Sequence, residues 1–341
     1  MKVLRLHKPF DMQFSDEPIP EIAPDEVLIR VGSVGVCASD VHYYREGRIG
    51  DQVVTAPIAM GHEFSGTVVK VGERVKSLKE GMRVAVEPGK PCKQCPACIQ
   101  GYTNLCPNVI FFGTPPVDGC LKEYVAWPAE LCIPVSDKMS LDEAAMIEPI
   151  AVGVYAVEMM EFTGGEKVAI LGAGAIGLSV LQAACAAGAG KLYITDPIKE
   201  RRDVAAKLGA DIVLEPGGST ENIVEETDGG VDIAFECAGM PESIRQTTEV
   251  IRPRGRIAIV GIPEEDSYVF HGSLSRKREA NVQFVRRSRG VSEKSVKMVE
   301  DGDIDAASLA THCFPFDQAE DAFKLAMEKT GGVIRAVIRV S

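Results

Sequence analysis

The sequence predicts an α/β chain in which a doubly wound parallel sheet is inserted into a β-rich domain. Three observations predict it. From residue 151 to about 287, short apolar runs alternate with amphipathic helical stretches, as in parallel strands covered by helices on both faces. On either side, residues 1–150 and 288–341 carry short β-branched segments broken by Gly and Pro. Within the first flank, Cys92, Cys95, Cys98 and Cys106 crowd into PCKQCPACIQGYTNLCPN, marking a lobe over residues 88–108 that a metal, more than a core, would hold.

The elements follow in order. EVLIRVGSVGVC, GHEFSGTVVKVGERV and GMRVAVEP alternate in the manner of short strands between turns. KVAIL, KLYIT, DIVL, VDIAFE and RIAIVG read as buried parallel strands. AIGLSVLQAACAAG, IKERRDVAAKLG and ESIRQTTEVI read as the helices between them. After about Gly290, SEKSVKMVEDG and FDQAEDAFKLAMEKT look helical, and GVIRAVIRV looks like a closing strand.

Composition sets the outer limits. The 341 residues are 45% hydrophobic and 25% charged, the profile of a globular protein. A net charge of −12 argues against nucleic-acid binding, which needs a basic surface. No apolar run approaches the roughly 18 residues of a membrane span, and MKVLRLHKPFDMQF lacks the apolar region of a secretion signal. A cytoplasmic location is therefore expected, where thiols bind metal or fill cores.

The cysteine spacing is C-x2-C-x2-C-x7-C. Four thiolates at this spacing can enclose one tetrahedral ion with no open position, which makes the site structural. The alternatives are two disulfides or scattered buried thiols, and the spacing alone does not separate zinc from an iron–sulfur cluster.

Gly172, Gly174, Ala175, Ile176 and Gly177 belong to a G-x-G-x-x-G turn that follows the strand KVAIL and opens a helix. The glycines suit a tight turn, close approach of a pyrophosphate, and close helix–strand packing. The helix N-terminus faces the phosphates with unpaired N–H groups. Asp196 ends the next strand, 19 residues after Gly177, where a carboxylate can accept both adenosine ribose hydroxyls and repel a 2′-phosphate. NAD is thus expected over NADP, with Arg201 and Arg202 as the residues that could reverse the preference. The alternative is a Gly-rich turn used only for packing, with Asp196 as a solvated strand end.

Cys37, His62, Glu63 and Glu148 form a second candidate set. Singly, each is more often a core thiol or an ordinary surface pair. Together they offer the sulfur, nitrogen and oxygen donors of a catalytic zinc that leaves one position for water or substrate.

GHEFSGTVVKVGERV, CASDVHYYREGRIG, FFGTPPVDG and IEPIAVGVYA carry a resemblance that covers essentially the whole chain. The sequence resembles the zinc-containing medium-chain alcohol dehydrogenases, and within them the sorbitol (polyol) dehydrogenases. That resemblance implies a GroES-like catalytic domain, a Rossmann NAD-binding domain, an active site in the cleft between them, and two Zn2+ per chain. It implies Cys37, His62 and Glu63 as ligands of the catalytic zinc, with Glu148 either a ligand or beside the open position. The four-cysteine lobe then holds a structural zinc. Ser39 and His42, in C-x-S-x-x-H, resemble a proton relay through the nicotinamide ribose, and His suits its outer end by its near-neutral pKa. Tyr43, Thr114 and either Arg286 or Arg287 are candidate substrate contacts by the same resemblance, with Ile49 and Phe111 as apolar wall. The segment FVRRSRG departs from the family, which is more aromatic there. A polyol substrate and a homo-oligomer, tetrameric in this family, complete what the resemblance implies. Two other readings stand beside it. One is a zinc dehydrogenase of another small polar alcohol, such as threonine, an inositol or a sugar acid. The other is an NAD-binding redox sensor without turnover. A zinc-free quinone or enoyl reductase shares the fold but would leave Cys37, His62 and Glu63 unexplained.

Overall fold

The structure is a computed structural model that describes residues 1–265 and 267–341. Internal contacts divide the chain into two units. One is Met1–Glu148 with Ser292–Glu300 and Ala306–Ser341; the other is Pro149–Val291 with Asp301–Asp305.

The first unit is organised by the strand Glu26–Gly35. From Val27 to Gly35 every residue is buried except Arg30, the burial of a central strand covered on both faces. Glu63–Val71 pairs antiparallel along one edge. Along the other edge, Tyr124–Pro128 takes the first half and Arg335–Arg339 takes Ser33–Gly35. The chain's last strand is thereby brought beside the segment that leads into Cys37. Arg83–Val86 and Cys132–Pro134 extend the sheet on one side and Ala310–Pro315 on the other. Phe64, Phe112 and Trp127 anchor the core, and the Trp127 indole N–H donates to the Glu87 carbonyl at 2.9 Å.

The second unit is a six-stranded, wholly parallel sheet. Its strands and helices, in chain order, are β1 Lys167–Leu171, α1 Ala175–Ala186, β2 Lys191–Thr195, α2 Lys199–Lys207, β3 Ile212–Leu214, α3 Ser219–Glu226, β4 Val231–Glu236, α4 Pro241–Val250, β5 Ile251–Ile259, α5 Gly272–Arg278 and β6 Asn281–Phe284. The spatial order is 3-2-1-4-5-6, that of a dinucleotide-binding sheet, with the switch point between β1 and β4. Val168, Ala169, Ile170, Ile194, Ile233 and Ala234 have no exposed surface. Burial on both faces explains why these strands read as continuous apolar runs. Among the described residues, no helix is long and apolar enough to cross a membrane.

Candidate active site and metal centres

In the first unit, Cys37 precedes the helix Ala38–Glu46, and His62 precedes Glu63 at the start of its strand. Gly35 and Glu63 are cross-strand partners. A side chain on Gly35 would overlap the Glu63 carboxylate, so this glycine makes room for it. One donor atom each from Cys37, His62 and Glu63 lies within 4.8 Å of the others.

The electrostatics of this cluster fit a cation. Glu63 is fully buried, and among the described residues neither of its carboxylate oxygens accepts a hydrogen bond. Arg335 brings Nη2 to 3.1 Å from Oε1, close enough for charge attraction but not in hydrogen-bond geometry. A buried carboxylate left so incompletely satisfied is costly unless a further positive charge joins it. Burial alone would push the His62 imidazolium down, but Asp40 and Cys37 more than offset that and hold its pKa well above the ordinary value. Asp40 is buried, with Oδ1 3.5 Å from His62 Nδ1, and it accepts the backbone N–H groups of Cys37 and Gly61. A carboxylate behind an imidazole fixes the ring and raises its basicity as a ligand. The thiolate, imidazole and carboxylate suit zinc with an open position.

Glu148 opens the helix Ile147–Met159 and lies outside that cluster of donor atoms. It keeps some exposed surface, yet protein enclosure, the dominant effect, with Glu63 and Glu87 nearby, pushes its carboxyl up to about 8 against the pull of His62 and Arg335. Asp40, Arg335 and Gly35 are contributors that the sequence reading missed. Asp40 stood inside the quoted CASDVHYY, whereas only the sheet topology shows that Arg335 reaches the site.

Ser39 and His42 are three residues apart on one helix, both half-buried, with His42 Nδ1 3.9 Å from Glu46. Tyr43 is buried, and its hydroxyl donates to Gln52 Oε1 at 3.1 Å. Phe111 packs its ring against that of His62, with centroids 5.4 Å apart. Thr114 is half-buried one turn further on, its N–H on the Phe111 carbonyl, and Ile49 packs against the core. Arg286 and Arg287 belong to the second unit, Arg286 exposed and Arg287 half-buried with a left-handed φ of 55°.

The four-cysteine lobe passes a geometric test. Cys95 Sγ and Cys106 Sγ are 3.9 Å apart. Zinc–sulfur bonds of about 2.3 Å at tetrahedral angles set sulfurs about 3.8 Å apart, whereas a disulfide needs about 2.05 Å. All ten cysteines are free thiols, which removes the disulfide alternative. Backbone N–H groups of Cys92 and Cys98 point at Cys106 Sγ and Cys95 Sγ. Backbone hydrogen bonding at Gln94 draws the Cys92 thiol down, while burial and the neighbouring sulfurs push Cys98 up. Four sulfurs this close cannot share negative charge comfortably without a central cation.

In the second unit, the glycine turn joins β1 to α1. Gly172 adopts φ 109° with Ala238 N close by, and a side chain on Gly177 would overlap the Gly172 carbonyl. Gly174 caps α1, where a side chain would meet only Arg201 Nη1 at 3.9 Å, and Ala175 and Ile176 begin the helix. Asp196 is buried. Its Oδ2 accepts the Ala173 N–H and its Oδ1 the Ile198 N–H, both at 2.9 Å, which ties the end of β2 to the turn. Arg201 Nη1 lies 3.9 Å from Asp196 Oδ2 and beside Gly174. Arg202 bonds the carbonyls of Asp196 and Pro197 and the Glu215 carboxylate.

Comparison with known proteins identifies the family. Residues 23–137 match the alcohol dehydrogenase GroES-like domain, and residues 175–301 match the zinc-binding dehydrogenase domain. A sorbitol dehydrogenase of Bacillus subtilis is 36% identical over 341 residues, covering 99% of this chain and 97% of the relative. The chain belongs to the zinc-containing medium-chain alcohol dehydrogenases, in their sorbitol dehydrogenase-like branch. A solved Escherichia coli oxidoreductase/dehydrogenase of unknown specificity superposes with a TM-score of 0.95 at 33% identity, covering 100% of this chain and 99% of that one. The L-idonate 5-dehydrogenase of Escherichia coli superposes with a TM-score of 0.93 at 27% identity, covering 99% and 98%. Within this family, the chain is a zinc-dependent dehydrogenase that uses NAD, with donor sets for two zinc ions.

Proposed function

We propose that this dehydrogenase oxidises a secondary hydroxyl of a polyol, of the sorbitol or xylitol kind, to a ketone and passes the hydride to NAD. The observation that carries the reading is the cluster of half-buried Cys37 with buried His62 and Glu63, its carboxylate incompletely satisfied, in a chain 36% identical to a sorbitol dehydrogenase. When bound, zinc supplies a Lewis acid that makes a substrate hydroxyl easier to deprotonate, and NAD supplies the hydride acceptor. The chain does the rest. Ser39 Oγ would take the hydroxyl proton as it gives up its own to the relay, with the His42 ring at the relay's outer end. Glu148 stands beside the open position. Tyr43 and Thr114 offer hydroxyls to the neighbouring hydroxyls of the substrate, and Phe111 and Ile49 exclude water. Asp196 takes the adenosine ribose with the lone pairs its two backbone contacts leave over. The enzyme acts as a homo-oligomer in this reading.

A second reading takes a sugar acid as substrate. Arg286, Arg287 and Arg289 fall within one short loop, and one close structural neighbour is an L-idonate 5-dehydrogenase. Assaying NADH formation with neutral polyols and with sugar acids, before and after zinc removal, separates these. Multiple turnovers that stop on chelation support the dehydrogenase reading. One equivalent of NADH per chain without turnover would instead support a redox sensor.

A further inference from the structure

Glu236 is the last residue of β4, and its side chain is fully buried. Its Oε1 accepts three hydrogen bonds: from the N–H of Ala238 at 2.9 Å, the N–H of Gly239 at 2.8 Å and the Ser243 hydroxyl at 2.6 Å. Ser243 in turn accepts the Met240 N–H, so one oxygen gathers the segment after β4 and fastens it to the first turn of α4. Oε2 is buried with no hydrogen-bond partner among the described residues. It lies against Gly261, so closely that any side chain there would overlap it. The Glu236 carbonyl accepts the N–H groups of Val260 and Gly261 as well. A single residue therefore fixes two loops, residues 237–240 after β4 and residues 260–262 after β5. Residue 239 of the first loop is a left-handed glycine packed on the Ile262 backbone of the second. The first loop also touches the cofactor turn, because Gly172 sits against the backbone of Cys237 and Ala238.

The position of these loops gives the clasp a purpose. A dinucleotide crosses the carboxyl ends of the strands at the switch point between β1 and β4, with its adenosine on the β2 side, where Asp196 stands. The nicotinamide half then lies over the ends of β4 and β5. We infer that Glu236 is a positioning residue for the nicotinamide half of NAD, acting through the two loops it holds. The inference rests on the NAD reading above. A buried carboxyl is an expensive way to tie two loops unless their geometry matters, since removing such an acceptor strands three donors.

The test is binding of NADH and of AMP, followed by fluorescence and calorimetry, in wild type and in Glu236→Gln, Glu236→Ala and Ser243→Ala. AMP reports only the Asp196 side. NADH is expected to bind about 10-fold more weakly to Glu236→Ala and a few-fold more weakly to Ser243→Ala, while AMP affinity stays within about twofold. Glu236→Gln keeps Oε1 as an acceptor and is expected to recover most of the NADH affinity. If Glu236→Ala does not fold, the other two variants carry the test. NADH binding unchanged in the folded variants, or AMP and NADH weakened by equal factors, would overturn the inference. A wild-type chain that binds AMP but not NADH would overturn the NAD reading and this inference with it.

Discussion

At the scale of single residues, the metal centre is shaped as much by the groups behind the ligands as by the ligands. Asp40 fixes the His62 ring and the Cys37 backbone from one buried carboxylate, so Asp40→Asn is expected to weaken zinc binding by roughly 10–100-fold. Chelator competition on the folded protein measures this, and unchanged affinity would remove Asp40 from the site. His62→Ala is expected to abolish turnover and largely spare the fold, which thermal unfolding beside a steady-state assay will show. The cofactor preference also belongs to this scale. Asp196 would meet a 2′-phosphate with like charge, and Arg202 is engaged by Glu215 and two carbonyls. Asp196→Ala is expected to narrow the preference for NAD, read as the ratio of kcat/KM with NAD to that with NADP. A wild-type ratio favouring NADP would mean that Arg201 outweighs Asp196. The four lobe cysteines were legible from their spacing, whereas Cys37, His62 and Glu63 stood out as ligands only through the family resemblance of the segments around them. Arg335 was not legible, because it lies on a strand that only the tertiary fold brings to Val36 and Glu63.

At the scale of elements, the two ends of legibility are easy to separate. β1, β2 and β4 are buried on both faces, so their apolar runs announced them. The edge strand β6, Asn281–Phe284, has mostly exposed residues and therefore no apolar run to read. The short helix α3 buries only Ser219 and Ile223, too few positions for a helical period. The hairpin Lys2–Lys8 with Asp11–Asp16 was unread for a related reason, since its second strand buries no residue fully. The four-cysteine lobe shows the opposite case. Its short helix Pro96–Ile99 has no buried residue at all, and Ile99 is 75% exposed, so sulfur spacing was the only signal. With so little core, the lobe depends on its metal. Cys98→Ser is expected to lower the thermal midpoint and make the lobe the first site of proteolysis, while active-site zinc remains bound. An unchanged midpoint in zinc-loaded protein would contradict the structural role.

At the scale of the whole molecule, acid should unfold the chain through carboxylates held below their ordinary range. Burial would raise Asp118 and Asp142, but the Arg5 hydrogen bonds on Asp118, and those of Arg339 and Ser33 on Asp142, outweigh it and lower both. A lowered folded-state pKa means that the stabilisation is complete above the unfolded value, about 4 for Asp, and is lost as pH falls below it through the folded value. The thermal midpoint is therefore expected to fall steeply below about pH 4, and less steeply in Asp142→Asn; parallel curves would show that this carboxylate contributes nothing. The insertion of one unit between two portions of the other was readable from the change in strand grammar near residue 150 and again near 290. The return of residues 301–305 to the nucleotide-binding unit was not, since a five-residue crossing leaves no pattern. The proposed polyol oxidation requires zinc, NAD and several substrate hydroxyls together. The most direct measurement is kcat/KM for sorbitol and xylitol against 2-propanol, with NAD and with zinc first present and then removed. Several polar partners left unpaired by a simple alcohol should cost about 1–3 kcal/mol each. The expected result is therefore a polyol advantage of at least roughly two orders of magnitude, abolished on zinc removal. Equal rates on 2-propanol and every polyol, or turnover that survives zinc removal, would contradict it.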